Sequence, residues 1–304
     1  MGDIRIFKMD GSNAKELQGS STELEKSLQT FMEKNLETLL GIKFLETEYP
    51  TGKTHGGRID SLGLDENGLP VILEYKRAIN EVVITQGLYY LDWLLDHRPD
   101  FELLVQKKLG NKYAEKIDWN SPRLLCIAGD FSKFDIHAVN QIPRSIELIR
   151  YRKYSSDLLL LELVNATTVF TEQIKKEKDS QRKATLYKTA SDMLAQSDKD
   201  LQDRYESLKA FIEALGDDVQ LNALKYYIAC KRIKNFACIE IHPKTKEIRV
   251  FVKVDPNSIT LEPGFTEDFS NIGHWGTGDL MIVIKSDTDI ARAKELIMKS
   301  YEMN

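Results

Sequence analysis

Hydrophobic positions recur along residues 1–165 with two different periods, which predicts strands and helices in alternation. Alternating or continuous apolar runs predict strands at Ile4–Lys8, Phe44–Glu48, Ile59–Leu64, Pro70–Lys76, Arg123–Ala128, Ile146–Tyr151 and Leu158–Val164. Apolar positions three and four residues apart predict helices from the Ser20–Thr22 start signal to Gly41, at Val82–Asp96 and at Lys133–Asn140. This order predicts an α/β unit in which helices flank a mixed sheet.

The composition changes after this unit, because Thr171–Lys199 is rich in charged and small polar residues and contains neither Gly nor Pro. We interpret residues 169–199 as a charged helical connector between domains spanning residues 1–168 and 200–304. The elements predicted for the second domain are helices at Leu201–Leu215, Leu221–Ala229 and Asp287–Tyr301 and strands at Phe236–His242, Ile248–Val254 and Leu280–Ile284. This pattern predicts a small α+β domain.

Composition and charge limit the class of protein. A chain of 304 residues with 42% hydrophobic and 29% charged residues is neither disordered nor membranous, and its length fits two domains. The net charge of −5 excludes binding to nucleic acid by bulk positive charge, although it allows a local basic cleft. The three cysteines are too dispersed for a disulfide framework, and the first residues lack the pattern of a signal peptide. We therefore expect a soluble, reduced, cytoplasmic protein with no membrane partner.

One predicted hairpin brings charged side chains together. Glu74 and Lys76 alternate with Leu73 and Tyr75 on its second strand, and Asp60 lies beside them near the start of the first strand. Buried charges are costly unless they pair or coordinate a metal ion, and Mg²⁺ prefers hard oxygen ligands. Asp60, Glu74 and the Tyr75 carbonyl could hold Mg²⁺ or Mn²⁺, with Lys76 assisting an attacking water. The alternative is that Asp60 caps a turn and that Glu74 and Lys76 are an ordinary pair on an edge strand.

Two helices add polar candidates. Glu25 falls inside the apolar stripe of the first helix, which predicts either a salt-bridged core residue or a further group at the metal site, with Glu33 as the fallback. Gln86 and Tyr90 lie one turn apart on the next helix and could reach the same site. Core packing is the alternative for Tyr90.

Asp60, then Glu74-x-Lys76, then Gln86-x-x-x-Tyr90 resembles the PD-(D/E)XK nuclease superfamily. Residues 57–62 and 71–76 are most similar to NucS-type endonuclease catalytic domains, and Gln86 with Tyr90 resembles the RecB-type motif. The resemblance covers residues 20–165 and implies a restriction-endonuclease-like sheet, Mg²⁺ or Mn²⁺ as cofactor, DNA as partner and a homodimer. It implies Asp60 and Glu74 as metal ligands, Lys76 as the catalytic lysine, Glu25 as the helix carboxylate, and Gln86 and Tyr90 as auxiliary residues.

The sequence departs from the superfamily pattern in two ways. Ile59 stands where the superfamily's name has Pro, which is a frequent substitution. We also expect no separate DNA-binding domain of the NucS kind before residue 20.

The second domain resembles a small domain of unknown function that is labelled a predicted transport protein, and nothing in the sequence supports transport. Lys231, Arg232 and Lys234, interleaved with aromatic residues, would suit contacts with nucleic acid, as would Arg58 in the first domain. The alternative for the second patch is a helix with its aromatic side chains in the core and its lysines in solvent.

The sequence therefore favours a metal-dependent endonuclease that hydrolyses phosphodiester bonds in DNA, of single-stranded, branched or duplex form. The alternative is a catalytically silent protein of nuclease fold that binds nucleic acid or regulates another protein.

Overall fold

The computed structural model describes residues 4–21, 25–52, 56–76, 82–155, 157–167 and 189–304. The chain divides into two compact units, Met1–Ser180 and Gln181–Asn304. Residues 169–188 of the predicted connector lie outside the described residues. No helix in these ranges is long and apolar enough to cross a membrane.

The first unit alternates strands and helices as its hydrophobic pattern predicts. Its strands are β1 (Ile6–Asp10), β2 (Asn13–Leu17), β3 (Gly19–Ser20), β4 (Ile42–Pro50), β5 (Arg58–Asp65), β6 (Pro70–Lys76), β7 (Arg123–Ala128), β8 (Ser145–Tyr154) and β9 (Leu158–Thr167). Its helices are α1 (Glu25–Lys34), α2 (Leu36–Leu40), α3 (Val82–Asp96), α4 (Arg98–Leu109), α5 (Asn111–Ala114) and α6 (Lys133–Gln141).

A mixed seven-stranded sheet forms the centre of this unit, with the order β3-β8-β7-β6-β5-β4 and β9 on β8. Strands β4, β5 and β6 form an antiparallel meander, and β6, β7 and β8 run parallel. Buried side chains of α3 and α4, including Leu94 and Phe101, pack with Ile72 and Leu124 of the sheet. This architecture confirms the predicted α/β class, a mixed sheet flanked by helices.

The second unit is an antiparallel sheet that packs against helices. Its strands are β10 (Gln220–Ala223), β11 (Ile228–Lys231), β12 (Asn235–His242), β13 (Glu247–Val252), β14 (Thr266–Asp268) and β15 (Leu280–Ile284), in the order β10-β11-β12-β13-β15-β14. Its helices are α7 (Ala190–Ala195), α8 (Lys199–Glu213) and α9 (Asp287–Met303), with a short 3₁₀ turn at Pro256–Ser258. Leu208 of α8 and Ile297 of α9 share one core with the strands. This arrangement confirms the predicted α+β class.

Two local predictions are wrong. The segment Leu221–Ala229 is not a helix, because β10 and β11 pair antiparallel and β11 continues the sheet through β12. Its apolar residues fit a helical period, but strand pairing with β12 decides the structure. The single helix predicted up to Gly41 is instead interrupted at Asn35 and forms α1 and α2; Ser20 of its start signal lies in β3, and residues 22–24 lie outside the described residues. Gly41 has a φ of 66°, as a helix end of this type requires.

Candidate active site

The edges of β5 and β6 separate at Asp60 and Glu74, and the two carboxylates lie in the gap. The ladder between these strands ends at the Ser61–Leu73 pair, so that Asp60 and Glu74 face each other one step beyond it. The Asp60 N–H donates to Glu74 Oε1 at 3.2 Å, and the Tyr75 N–H donates to Asp60 Oδ2 at 3.0 Å. Side-chain oxygens therefore replace the missing backbone acceptors at this end of the hairpin.

Glu74 is the most deeply buried of the candidate residues, with 0% exposure. Its Oε2 atom is buried and has no hydrogen-bond partner. Burial raises the pKa of Glu74 to about 9, and the neighbouring Asp60 carboxylate adds to this rise. The Asp60 N–H and the Lys76 ammonium act in the opposite direction. A carboxylate in this position has a strong affinity for a cation or a proton.

The residues next to Glu74 complete the strand end. The Tyr75 N–H points toward Asp60, and because N–H and C=O of one strand residue point to the same side, the Tyr75 carbonyl also faces the gap. The Tyr75 side chain is buried, and burial raises its pKa. Lys76 is half-buried at the end of β6 and lies close enough to Glu74 to lower that residue's pKa.

Helix α1 contacts the same strand end through an amide and a carboxylate. The Gln29 side chain is 4% exposed, and its Nε2 lies 2.6 Å from the carbonyl oxygen of Asp60. Glu33 accepts a hydrogen bond from the Ser61 hydroxyl at 2.6 Å. Glu25 begins α1, but its side chain lies outside the described residues. The fallback residue Glu33 therefore contacts the neighbour of Asp60, while the placement of the Glu25 carboxylate stays a prediction.

Gln86 and Tyr90 lie together on α3, where Gln86 Nε2 is 3.3 Å from the Tyr90 hydroxyl. Tyr90 belongs to the hydrophobic core and is 6% exposed, which agrees with core packing, the alternative given for this residue. Its hydroxyl also packs closely against the chain before β5, since a Cβ at Gly57 would lie 2.6 Å from that oxygen. Tyr90 thus packs against the segment that leads into Asp60.

Sequence reasoning missed Glu48 on β4. The pairs Thr47–Ser61 and Tyr49–Ile59 place Glu48 opposite Asp60 in the register of β4 and β5. Its carboxylate contacts Lys26 at 2.9 Å and Arg58 at 3.6 Å. Gln29 was missed as well, because a polar residue on a helix gives no signal of its partners until the sheet register is known.

The predicted nucleic-acid contacts in the second unit are placed differently from the sequence prediction. Lys231 lies in β11 with 1% exposure, so the alternative of a helix with its lysines in solvent is wrong for this residue, and its contact with nucleic acid stays a prediction. Arg232 pairs with Asp218 at 2.7 Å and lies over the Tyr301 ring. Lys234 is half-buried in the turn before β12, where its carbonyl accepts from the Arg232 N–H. Contacts of Arg232 and Lys234 with nucleic acid stay predictions.

The chemistry of the donor set fits a divalent ion at Asp60 and Glu74, because a buried carboxylate oxygen without a partner lies beside a second carboxylate. Within the described residues, no group of three or more His, Cys, Asp or Glu side chains is arranged to hold a metal. The pair would thus need the Tyr75 carbonyl, a water or a side chain outside the described residues to complete the coordination.

An uncharacterized protein of Haemophilus influenzae is similar to this chain over nearly its whole length. The two sequences are 30% identical over 309 residues, which cover 98% of this chain and 100% of the relative. The chain belongs to the same family as this Haemophilus protein. A family model described as a domain of unknown function (DUF5655) matches residues 190–304, which form most of the second unit.

Two solved structures have weak similarity to the chain. A repair endonuclease from Pyrococcus abyssi is 19% identical with a TM-score of 0.29, and the match covers 42% of this chain and 46% of that structure. The complex of EndoMS with double-stranded DNA is 20% identical with a TM-score of 0.28, and it covers 47% and 49% respectively. The matches span about half of each solved chain, and similarity at this level carries no information about activity.

Proposed function

We propose that the first unit is a metal-dependent nuclease that hydrolyses phosphodiester bonds in DNA. The observation that supports this proposal best is the Glu74 carboxylate, which is buried beside Asp60 with one oxygen lacking a partner, and is followed two residues later by Lys76. A buried carboxylate of this kind destabilises the fold unless a bound cation or a proton neutralises it. A carboxyl whose pKa is strongly raised by burial and by a second carboxylate is typical of functional sites.

Asp60, Glu74 and the Tyr75 carbonyl would hold Mg²⁺ or Mn²⁺, and Glu25 is the candidate fourth group. The ion, when bound, lowers the pKa of a water and neutralises charge on a phosphate. Lys76 would orient the attacking water and stabilise the negative charge that develops on the phosphate oxygens. Gln29 holds the Asp60 backbone in place through the 2.6 Å contact, and Gln86 with Tyr90 would support the segment before β5.

Cleavage of labelled DNA tests the proposal. Purified wild-type protein is incubated with single-stranded, branched and duplex DNA in Mg²⁺ or Mn²⁺, beside Asp60→Asn, Glu74→Gln and Lys76→Met. We expect wild-type cleavage and losses of at least about a hundredfold in each variant, the size of effect that removal of a charge-stabilising group produces. Lys34→Gln, an exposed change on α1, is the matched control and should cleave like wild type.

Equal cleavage by wild type and the site variants, or none by any protein on any substrate, contradicts a nuclease. DNA binding that survives Asp60→Asn in the absence of cleavage would instead support the silent, nucleic-acid-binding alternative. In either case we propose residues 200–304 as a separate module whose Arg232 and Lys234 assist contact with nucleic acid.

A further inference from the structure

Glu48 bridges two cations from different elements of the fold. Its Oε1 lies 2.9 Å from Lys26 Nζ of α1, and its Oε2 lies 3.6 Å from Arg58 Nε of β5. The ion pair with Lys26 is the main cause that holds the pKa of Glu48 below its usual value. A single carboxylate thus brings two positive charges from separate elements to one place.

Both cations are accessible although they are paired. The Lys26 side chain is 64% exposed and that of Arg58 is 68% exposed, whereas Glu48 between them is 31% exposed. Exposed ion pairs contribute about 0–1 kcal/mol to stability, so this bridge is weak enough to be exchanged for another anion. Stability alone therefore does not explain the arrangement.

The bridge lies beside the proposed metal site. Glu48 is opposite Asp60 in the strand register, Arg58 precedes Asp60 by two residues, and the Glu48 charge contributes to the raised pKa of Glu74. Glu48 also has a φ of 50°, a left-handed conformation that non-glycine residues rarely adopt. Unusual backbone of this kind is concentrated at functional sites.

We propose that Lys26 and Arg58 form a binding site for a backbone phosphate of the nucleic-acid substrate, and that Glu48 occupies this site until the phosphate displaces it. The inference rests on the proposed function, because it places this phosphate next to the DNA bond that would be cleaved at Asp60 and Glu74.

A phosphodiester matches the group that it would replace. Like the Glu48 carboxylate, it carries one negative charge and at least two oxygens that accept hydrogen bonds, and guanidinium and ammonium groups bind both classes of anion. While the bridge is closed, Glu48 keeps the two side chains in place and cancels one of their positive charges. The protein thus exposes little net positive charge until a substrate competes for the site.

Fluorescence anisotropy of a labelled 20-base-pair duplex tests the inference on the full chain, in Ca²⁺ and in EDTA, at several salt concentrations. Lys26→Gln and Arg58→Gln should each bind roughly three- to tenfold more weakly, and each should make the dependence of log affinity on log salt shallower by about 0.9. Glu48→Gln should bind more tightly than wild type with a steeper salt dependence, because the competing charge is gone. Lys34→Gln, on the same helix, should bind within about twofold of wild type.

The outcomes separate the two proposals, because binding and cleavage are measured independently. Weaker binding by Lys26→Gln and Arg58→Gln and tighter binding by Glu48→Gln support the phosphate site even when wild type cleaves nothing. If those two cation variants match Lys34→Gln, if Glu48→Gln binds more weakly than wild type, or if wild type binds no duplex at all, the inference is overturned. Cleavage by wild type together with any of these three results supports the nuclease proposal and overturns only the phosphate-binding site.

Discussion

The two ends of strand β5 carry aspartates in opposite situations. Asp65, at the carboxyl end, accepts from Arg123 at 2.7 Å, and the same guanidinium binds Glu147 through two bonds of 2.7 and 2.9 Å. All three side chains are nearly fully buried. Burial by itself would lower the pKa of Arg123, but Glu147 and Asp65 raise it above its ordinary value.

Asp60, near the amino end of the same strand, faces Glu74 instead of a guanidinium. Here the pKa of a buried carboxyl rises to about 9, and one of its oxygens has no partner. A guanidinium thus lies between two buried carboxylates at one end of the strand, whereas two carboxylates face each other at the other end. If Glu74 serves the proposed ligand site, removal of the Arg123 cation should destabilise the fold, whereas removal of the Glu74 charge should stabilise it.

Breaking the paired end should have the largest effect on stability. Arg123→Leu leaves Asp65 and Glu147 buried without their cation, and we expect a loss of about 3–5 kcal/mol in the free energy of unfolding. Urea denaturation followed by circular dichroism measures it.

The matched control replaces the whole group through Arg123→Met, Asp65→Asn and Glu147→Gln, which removes all three charges together. This variant should recover much of the loss. An Arg123→Leu protein as stable as wild type would show that the pairing of Arg123 with Asp65 and Glu147 does not stabilise the fold.

The Asp60–Glu74 end of the strand should make stability depend on pH. Because the folded pKa of Glu74 is raised to about 9, the folded state binds more protons than the unfolded state between the ordinary carboxyl pKa of 4.5 and about 9. Its stabilising contribution is present below pH 4.5 and is lost as the pH rises, by up to about 1.4 kcal/mol per pH unit.

Urea titrations of metal-free protein from pH 5 to 9 check this expectation. Glu74→Gln should flatten the decline and should exceed wild type in stability at pH 8. A variant that declines as steeply as wild type would assign the pH dependence to another group.

A smaller effect is expected where α3 meets the segment before β5. Gly57→Ala places a methyl group against the Tyr90 hydroxyl and ring, which should cost about 1–3 kcal/mol and reduce cleavage by moving the start of β5. Combining it with Tyr90→Phe removes the hydroxyl and should restore part of both losses. Unchanged cleavage by Gly57→Ala would show that the contact between Tyr90 and Gly57 does not support the proposed site.

Most of the fold is predictable from hydrophobic period, and the exceptions have physical causes. Pro70–Lys76, Arg123–Ala128 and Val82–Asp96 have the predicted bounds, because long apolar runs with clear stop signals leave little choice. The helix predicted at Leu221–Ala229 was wrong, because the pairing of β11 with β12 overrides the helical period of this segment. The residues of the β1–β2 hairpin are mostly exposed, so beyond its first residues the hairpin has no hydrophobic period from which strands could be predicted.

Part of the candidate site was predictable for a different reason. Asp60, Glu74 and Lys76 lie on one hairpin, so that spacing along the chain is sufficient to bring them together. Gln29 and Glu48 reach the site from α1 and β4, and their places depend on packing and on a register that sequence spacing does not determine. The burial of Lys231 depends on the pairing of β11 with β10 and β12, which sequence spacing does not determine either.

We propose that Asp60 and Glu74 together bind a divalent ion, and calorimetric titration of Mn²⁺ into metal-free protein at pH 8 measures this binding. Wild type should bind one Mn²⁺ with release of a proton and a rise in melting temperature, because a ligand that binds only the folded state stabilises it. Asp60→Asn and Glu74→Gln should lose this binding while remaining folded, and Lys34→Gln should keep it. Binding of equal affinity in wild type and both site variants, or none in wild type, would rule out a divalent-ion site at Asp60 and Glu74.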